Sequence, residues 1–143
     1  MSRIVAVVTD LIFATRISSE VRAVGLSVQI IRRLDVLDGL LANSPPDLLI
    51  VDLNAQGLDP FAAIANARKC DKPPRICAYF SHVQHELADQ ARKLGADDVV
   101  PRSRFVNELP TILMVYRIRP ANRMRRDKPD LQKSALIVIV NCL

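Results

Sequence analysis

The sequence predicts an α/β fold: a doubly wound (βα)5 three-layer sandwich whose parallel sheet has strand order 2-1-3-4-5. Three observations predict it. Leu48-Leu49-Ile50-Val51 runs straight into Asp52, the pattern of a strand buried on both faces. Ile4-Val5-Ala6-Val7-Val8 does the same near the start, ending in Thr9-Asp10. Strand-like and helix-like segments then alternate five times, as parallel strands joined by helical crossovers must. Right-handed crossovers leave few topologies for such a chain.

The elements follow in order. Residues 3–10 form the first strand. Leu11 to Val24 places Ile12, Ile17, Val21 and Val24 near helical spacing, and Gly25 closes that helix with a left-handed cap. Ser27 to Arg32 is a short β-branched second strand. Asp35 is read as the cap of a helix over Val36 to Ala42, stopped by Pro45-Pro46. The central strand ending at Asp52 comes next. Asp59-Pro60 starts a third helix, an N-cap acid with proline at the first helical position, carrying Phe61, Ile64 and Ala65 inward. Arg75 to Phe80 is the fourth strand. A fourth helix covers about Gln84 to Leu94, with Leu87, Ala91 and Leu94 inward and Gly95 as its stop. Asp97 to Pro101 is a short fifth strand. The last helix is read over about Asn107 to Ile118, because Pro110 lacks an amide donor and belongs in a first turn. Its inward residues are Leu109, Ile112, Leu113 and Tyr116.

Composition narrows the function. A chain of 143 residues, half of them apolar, supports one domain with a full core of small aliphatic side chains. No apolar run reaches the ~18–20 residues of a membrane span. The chain opens on a strand, with no signal-peptide pattern, and the expectation is a cytoplasmic protein with no membrane partner. Cys70, Cys77 and Cys142 have neither disulfide-framework nor zinc-site spacing, so they read as reduced thiols. The net charge of +5 belongs to the end of the chain: residues 1–116 carry 13 basic and 13 acidic side chains. Residues 119–143 therefore read as a basic C-terminal tail, able at most to make weak contact with nucleic acid or an acidic partner. Within it, Ala135 to Val140 is a strongly β-prone hexapeptide.

The chemistry gathers at the carboxyl ends of the strands, where open α/β sheets place their sites. The first strand ends in Asp10, the third in Asp52 with Asn54 after it, the fourth in Ser81 and the fifth in Pro101-Arg102. In the order 2-1-3-4-5 the first and third strands are neighbours, so Asp10 and Asp52 face one crevice. Two adjacent carboxylates repel unless a cation or proton lies between them, and Mg²⁺ with oxygen ligands is the expected occupant. Ser81 and Arg102 would flank a small tetrahedral oxyanion at Asp52. Plainer roles stand beside these. Asp52 fits a strand-end turn, Asp10 and Ser81 fit helix N-caps, and His82 and His85 fit solvated side chains better than a metal pair.

At this point the sequence resembles the receiver domains of bacterial two-component response regulators. The residues carrying the resemblance are Val51-Asp52-Leu53-Asn54, Gly57-Leu58-Asp59, Ser81, and Gly95-Ala96-Asp97-Asp98 followed by Arg102. It covers residues 3–118, so residues 1–118 are expected to be a receiver-like domain of flavodoxin-like fold. The resemblance implies that Asp52 accepts a phosphoryl group from a histidine kinase. It implies that Asp10, Asp52 and the Asn54 carbonyl hold Mg²⁺, and that Ser81 is the hydroxyl that closes on the phosphoryl group. It implies a signalling protein, not an enzyme, working through protein–protein contacts. The chain departs from the family in carrying Thr9 where a second acid usually stands and Arg102 where Lys usually stands. A planar guanidinium does not replace a compact ammonium neutrally. The alternative is a pseudo-receiver, a phosphorylation-independent binding or homodimerisation module. A flavin-binding domain is disfavoured, since Thr9 to Ala14 offers no phosphate-cradling loop.

Overall fold

The computed structural model describes residues 3–81 and 84–118. Five strands, β1 (Ile4–Val7), β2 (Val28–Ile31), β3 (Leu48–Asp52), β4 (Arg75–Phe80) and β5 (Asp98–Pro101), alternate with five helices. These are α1 (Leu11–Ala23), α2 (Leu34–Asn43), α3 (Pro60–Lys69), α4 (His85–Leu94) and α5 (Arg102–Ile118). All neighbouring strands are parallel, and the sheet order is β2-β1-β3-β4-β5, as the sequence predicts.

The alternation of side chains along each strand divides the core in two. Ile4, Ala6, Leu48, Ile50, Cys77 and Tyr79 face α1 and α5. Val5, Val7, Leu49, Val51, Ile76 and Ala78 face α2, α3 and α4. Every residue of β1 and β3 is buried, which is why these strands read as unbroken apolar runs and not as alternating ones. Asp97 and Asp98 lock the fourth and fifth strands together. The Asp97 carboxylate accepts the Ile76 amide at 2.9 Å, and Asp98 pairs with Arg75 at 2.7 Å. Gly95 ends α4 in the left-handed region at φ 108°, where a side chain costs strain.

Three local expectations are corrected. Ile12 does not point inward: it is 85% exposed, and α1 buries Phe13, Ala14, Ile17 and Val21 instead. Asp10 caps this helix, and the cap fixes a rotation that turns residue 12 to the outside. Asp35 is not the cap of α2: the cap position is Arg33, and Asp35 lies in the first turn, paired with Arg33. Its charge still suits a helix N-terminus. The third concerns α5, which starts at Arg102 directly after β5 and carries Pro110 in its interior. Burial of Phe105 at the sheet requires helical phase from residue 102, with Leu109, Ile112 and Leu113 on the same stripe. Pro110 leaves the Val106 carbonyl without its helical amide, a local loss that packing of this stripe overrides. His82, the basic tail, its β-prone hexapeptide and Cys142 lie outside the described residues, as does the Tyr116 side chain. Among the described residues no helix is long and apolar enough to cross a membrane.

Candidate functional site

Asp52 ends the central strand and is the one buried charged residue among those described, 4% exposed. Burial, helped by the nearby Asp10 charge, pushes its carboxyl above the usual 3.8, opposed by the Asn54 amide, the Arg102 charge and the Tyr79 hydroxyl. The Asn54 amide donates to Asp52 Oδ1 at 2.8 Å, a tight turn that holds the carboxylate at the strand end. Asp52 shares the sheet face of Leu48 and Ile50, so it stands above the α1/α5 half of the core. There the aromatic side chains gather: Tyr79 stacks on Phe105 at 4.6 Å between ring centroids and meets Phe13 at 4.9 Å. Tyr79 is buried and its hydroxyl has no hydrogen-bond partner. The hydroxyl lies close enough to Asp52 for the carboxylate to push its pKa further up, beyond the rise that burial causes. The contact does not reach hydrogen-bond geometry.

Asn54 joins the site to the next loop. Its side-chain oxygen accepts the Ser81 amide at 2.8 Å, and its side-chain nitrogen donates to Gln84 Oε1. Gln84 is the residue before α4, so a chain of hydrogen bonds runs from Asp52 through Asn54 to Ser81 and the start of that helix. Thr9 also has a place. Its hydroxyl oxygen accepts the Gln56 amide at 2.8 Å and ties the loop after β3 to the end of β1.

Asp10 and Arg102 meet at the rim. Asp10 Oδ1 accepts the Ile12 and Phe13 amides at 3.0 and 3.1 Å, capping α1, while Oδ2 takes Arg102 Nη2 at 2.9 Å. The Arg102 hydrogen bond is the main reason the Asp10 carboxyl sits below its usual range. The guanidinium carbon of Arg102 lies 3.9 Å from the centroid of the Phe13 ring, a cation–π contact that holds the side chain over the aromatic floor. Asp10 thus fills its plainer role as helix cap and is also an ion-pair partner.

The structure gathers Asp10, Asp52, Asn54, Ser81 and Arg102 at the carboxyl ends of β1, β3, β4 and β5. Sequence reading missed Gln56 and Gln84, which carry no pattern of their own, and the floor of Phe13, Tyr79 and Phe105. His85 sets its ring edge against Phe80. The fit to magnesium is poor. Mg²⁺ demands octahedral oxygen ligands, yet both Asp10 oxygens are engaged and Thr9 offers a hydroxyl already taken by Gln56. The Asn54 carbonyl accepts Gln56 Nε2 at 3.2 Å. Among the described residues no group of three or more His, Cys, Asp or Glu is placed to hold a metal. To hold Mg²⁺ together with Asp52, the Asp10 carboxylate and the Asn54 carbonyl would have to give up these contacts.

No protein-family model matches the chain, and no curated protein matches it in sequence. Solved structures do match. A signal receiver domain of a Luxo repressor protein from Vibrio parahaemolyticus superposes with a TM-score of 0.68 at 16% identity, over 97% of this chain and 96% of that one. The chain has the receiver-domain fold. A response regulator from Burkholderia pseudomallei, solved with a phosphorylated aspartic acid, a calcium ion and citrate, matches at a TM-score of 0.69 and 19% identity. There the receiver fold covers 79% of this chain and 66% of that one, so the chain spans less than two thirds of that regulator. A CheY-like receiver domain from Methanospirillum hungatei matches at 0.67 and 14% identity, over 82% of this chain and 98% of that one.

Proposed function

We propose that the chain is a signal-transduction receiver that accepts a phosphoryl group on Asp52 from a phosphohistidine of a kinase and relays the change through its surface. The observation that carries this reading is the buried Asp52 carboxylate at the end of the central strand, hydrogen-bonded into the Asn54–Ser81–Gln84 chain. In the transfer an Asp52 oxygen attacks phosphorus and forms a P–O bond. The P–N bond to the donor imidazole breaks, and the leaving ring nitrogen takes up a proton. Arg102 stands at the rim to balance charge on the phosphoryl oxygens, a charge-assisted contact that a guanidinium fork makes well. No step passes through magnesium, since the Asp10 carboxylate and the Asn54 carbonyl already have partners.

The relay follows from the same hydrogen bonds. A phosphoryl group on Asp52 adds negative charge and acceptor oxygens beside Ser81. Drawing the Ser81 hydroxyl toward them disturbs its amide bond to Asn54 and, through Asn54, the Gln84 contact at the start of α4. The face of α4, β5 and α5 is then the output surface, read by a signalling partner in the cytoplasm. The role is switching and binding, without turnover of a substrate.

Thr9 and the Asp10–Arg102 pair favour a second reading, a pseudo-receiver that binds or dimerises without phosphorylation. One experiment separates the two. The protein and its Asp52→Asn variant are incubated with an acyl phosphate and resolved on a phosphate-affinity gel. The receiver reading expects an acid-stable but base-labile shifted species in the parent and none in the variant. A folded parent that stays unmodified by acyl phosphate and by kinase phosphodonors favours the pseudo-receiver. That second reading expects Asp52→Asn to leave partner binding unchanged.

A further inference from the structure

The rim of the site is partly neutralised from within. Asp10 and Asp52 bring two negative charges, and Arg102 brings one positive charge, held in place from two directions. Its Nη2 donates to Asp10 at 2.9 Å, and its guanidinium rests on the Phe13 ring. Among the described residues its Nη1 and Nε have no hydrogen-bond partner. They lie on different edges of the guanidinium, and the one beside the second N–H of Nη2 completes with it a planar fork that matches two oxygens of a tetrahedral anion. Its charge also acts on Asp52, drawing that carboxyl downward against the effect of burial.

A divalent ion entering here would compete with these contacts. To recruit Asp10 it must break the charge-assisted bond to Arg102 and accept the guanidinium as a neighbour. Like charges at such range repel, and the repulsion is strongest where water is partly excluded. The second acid that would add to the attraction is replaced by Thr9, whose hydroxyl oxygen is bonded to the Gln56 amide.

We infer that Arg102 is the resident cation of this site, so that a phosphoryl-type oxyanion at Asp52 is held by the Arg102 fork without a divalent ion. The inference rests on the reading of Asp52 as the acceptor. Asp10 then acts as a positioning residue: it holds Arg102 at the rim and caps α1.

The test uses the full chain and two variants, Arg102→Ala and Arg102→Gln, each first checked for native amide spectra. The glutamine variant retains a donor and packing volume if alanine weakens the start of α5. In the first titration Mg²⁺ alone is added and followed by calorimetry. Removing the guanidinium frees Asp10, so both variants are expected to bind Mg²⁺ at least tenfold more tightly than the parent. In the second, beryllofluoride, a phosphoryl mimic, is titrated in magnesium-free buffer and again with Mg²⁺. The parent is expected to bind it equally well in both, and the variants at least tenfold more weakly without the metal. Parent affinity for Mg²⁺ equal to that of the variants, or beryllofluoride binding that appears only with Mg²⁺, overturns the inference. If no protein binds beryllofluoride under any condition, the acceptor reading fails. The magnesium titration alone then decides the role of Arg102.

Discussion

Tyr79 offers the sharpest check of the site's interior. It is 1% exposed, its ring is held between Phe13 and Phe105, and its hydroxyl is buried without a hydrogen-bond partner. A buried polar group left unsatisfied costs about 1–3 kcal/mol. Tyr79→Phe removes that cost and keeps the ring stacking, since the ring itself is unchanged. What it loses is the dispersion contact of one oxygen, roughly five atom pairs at ~0.1–0.2 kcal/mol each, or under about 1 kcal/mol in all. The balance is a stabilisation of about 1 kcal/mol. For a domain of this size that raises the melting temperature by about 3–5 °C. Urea unfolding of parent and variant, with the slope unchanged, reads the difference directly. Burial and the neighbouring Asp52 charge push the tyrosine pKa further up, so the hydroxyl is neutral throughout and pH does not confuse the comparison. A variant less stable than the parent by 0.5 kcal/mol or more, a loss of the kind expected when a made hydrogen bond is removed, would refute the reasoning. It would show that the hydroxyl is satisfied, by the Asp52 carboxylate or by a buried water.

Three further outcomes follow from the geometry. Asp52→Asn stabilises the protein at neutral pH: burial raises the folded carboxyl pKa above the unfolded value near 3.8, so ionisation costs folding free energy. That advantage is present above the raised pKa and vanishes as pH falls below 3.8, and unfolding curves across this range read it. Pro110→Ala restores an amide to the interior of α5 and is expected to stabilise by about 2 kcal/mol, measured by the shift in denaturant midpoint. Gly95→Ala forces a side chain into the left-handed region at φ 108° and brings its Cβ to 3.0 Å from the Arg68 side chain. The expected loss is about 1–2 kcal/mol, read in the same unfolding experiment.

The layout of the fold was legible because burial on both faces leaves an unmistakable trace. β1 and β3 are entirely buried, so their apolar runs mark the centre of the sheet, and the acids that end them mark its functional edge. Stops were legible where a residue type is tied to a backbone geometry, as with Gly25 and Gly95 in the left-handed region and Pro60 after the Asp59 cap. Helix phase was less legible. Ile12 is as apolar as Phe13, and only the cap geometry at Asp10 decides which of them turns inward. Pro110 misled because its local rule is real, yet the packing of Phe105 against Tyr79 sets where α5 begins. At the site, the residue set Asp10, Asp52, Asn54, Ser81 and Arg102 could be named from strand ends alone. The pairings could not. That Arg102 takes Asp10, that Thr9 holds Gln56, and that Asn54 reaches Gln84 depend on loop paths that no periodicity encodes.

The central claim is that Asp52 is the point at which an oxyanion acts on this fold. The most direct measurement follows backbone amide resonances during a beryllofluoride titration of the parent and the Asp52→Asn variant. The account predicts saturable shifts in the parent at Asp52, Asn54, Ser81 and Gln84, extending into α4, with β2 and α2 unmoved, and none in the variant. Resonances that stay in place in a folded parent, or that move equally in Asp52→Asn, would contradict it.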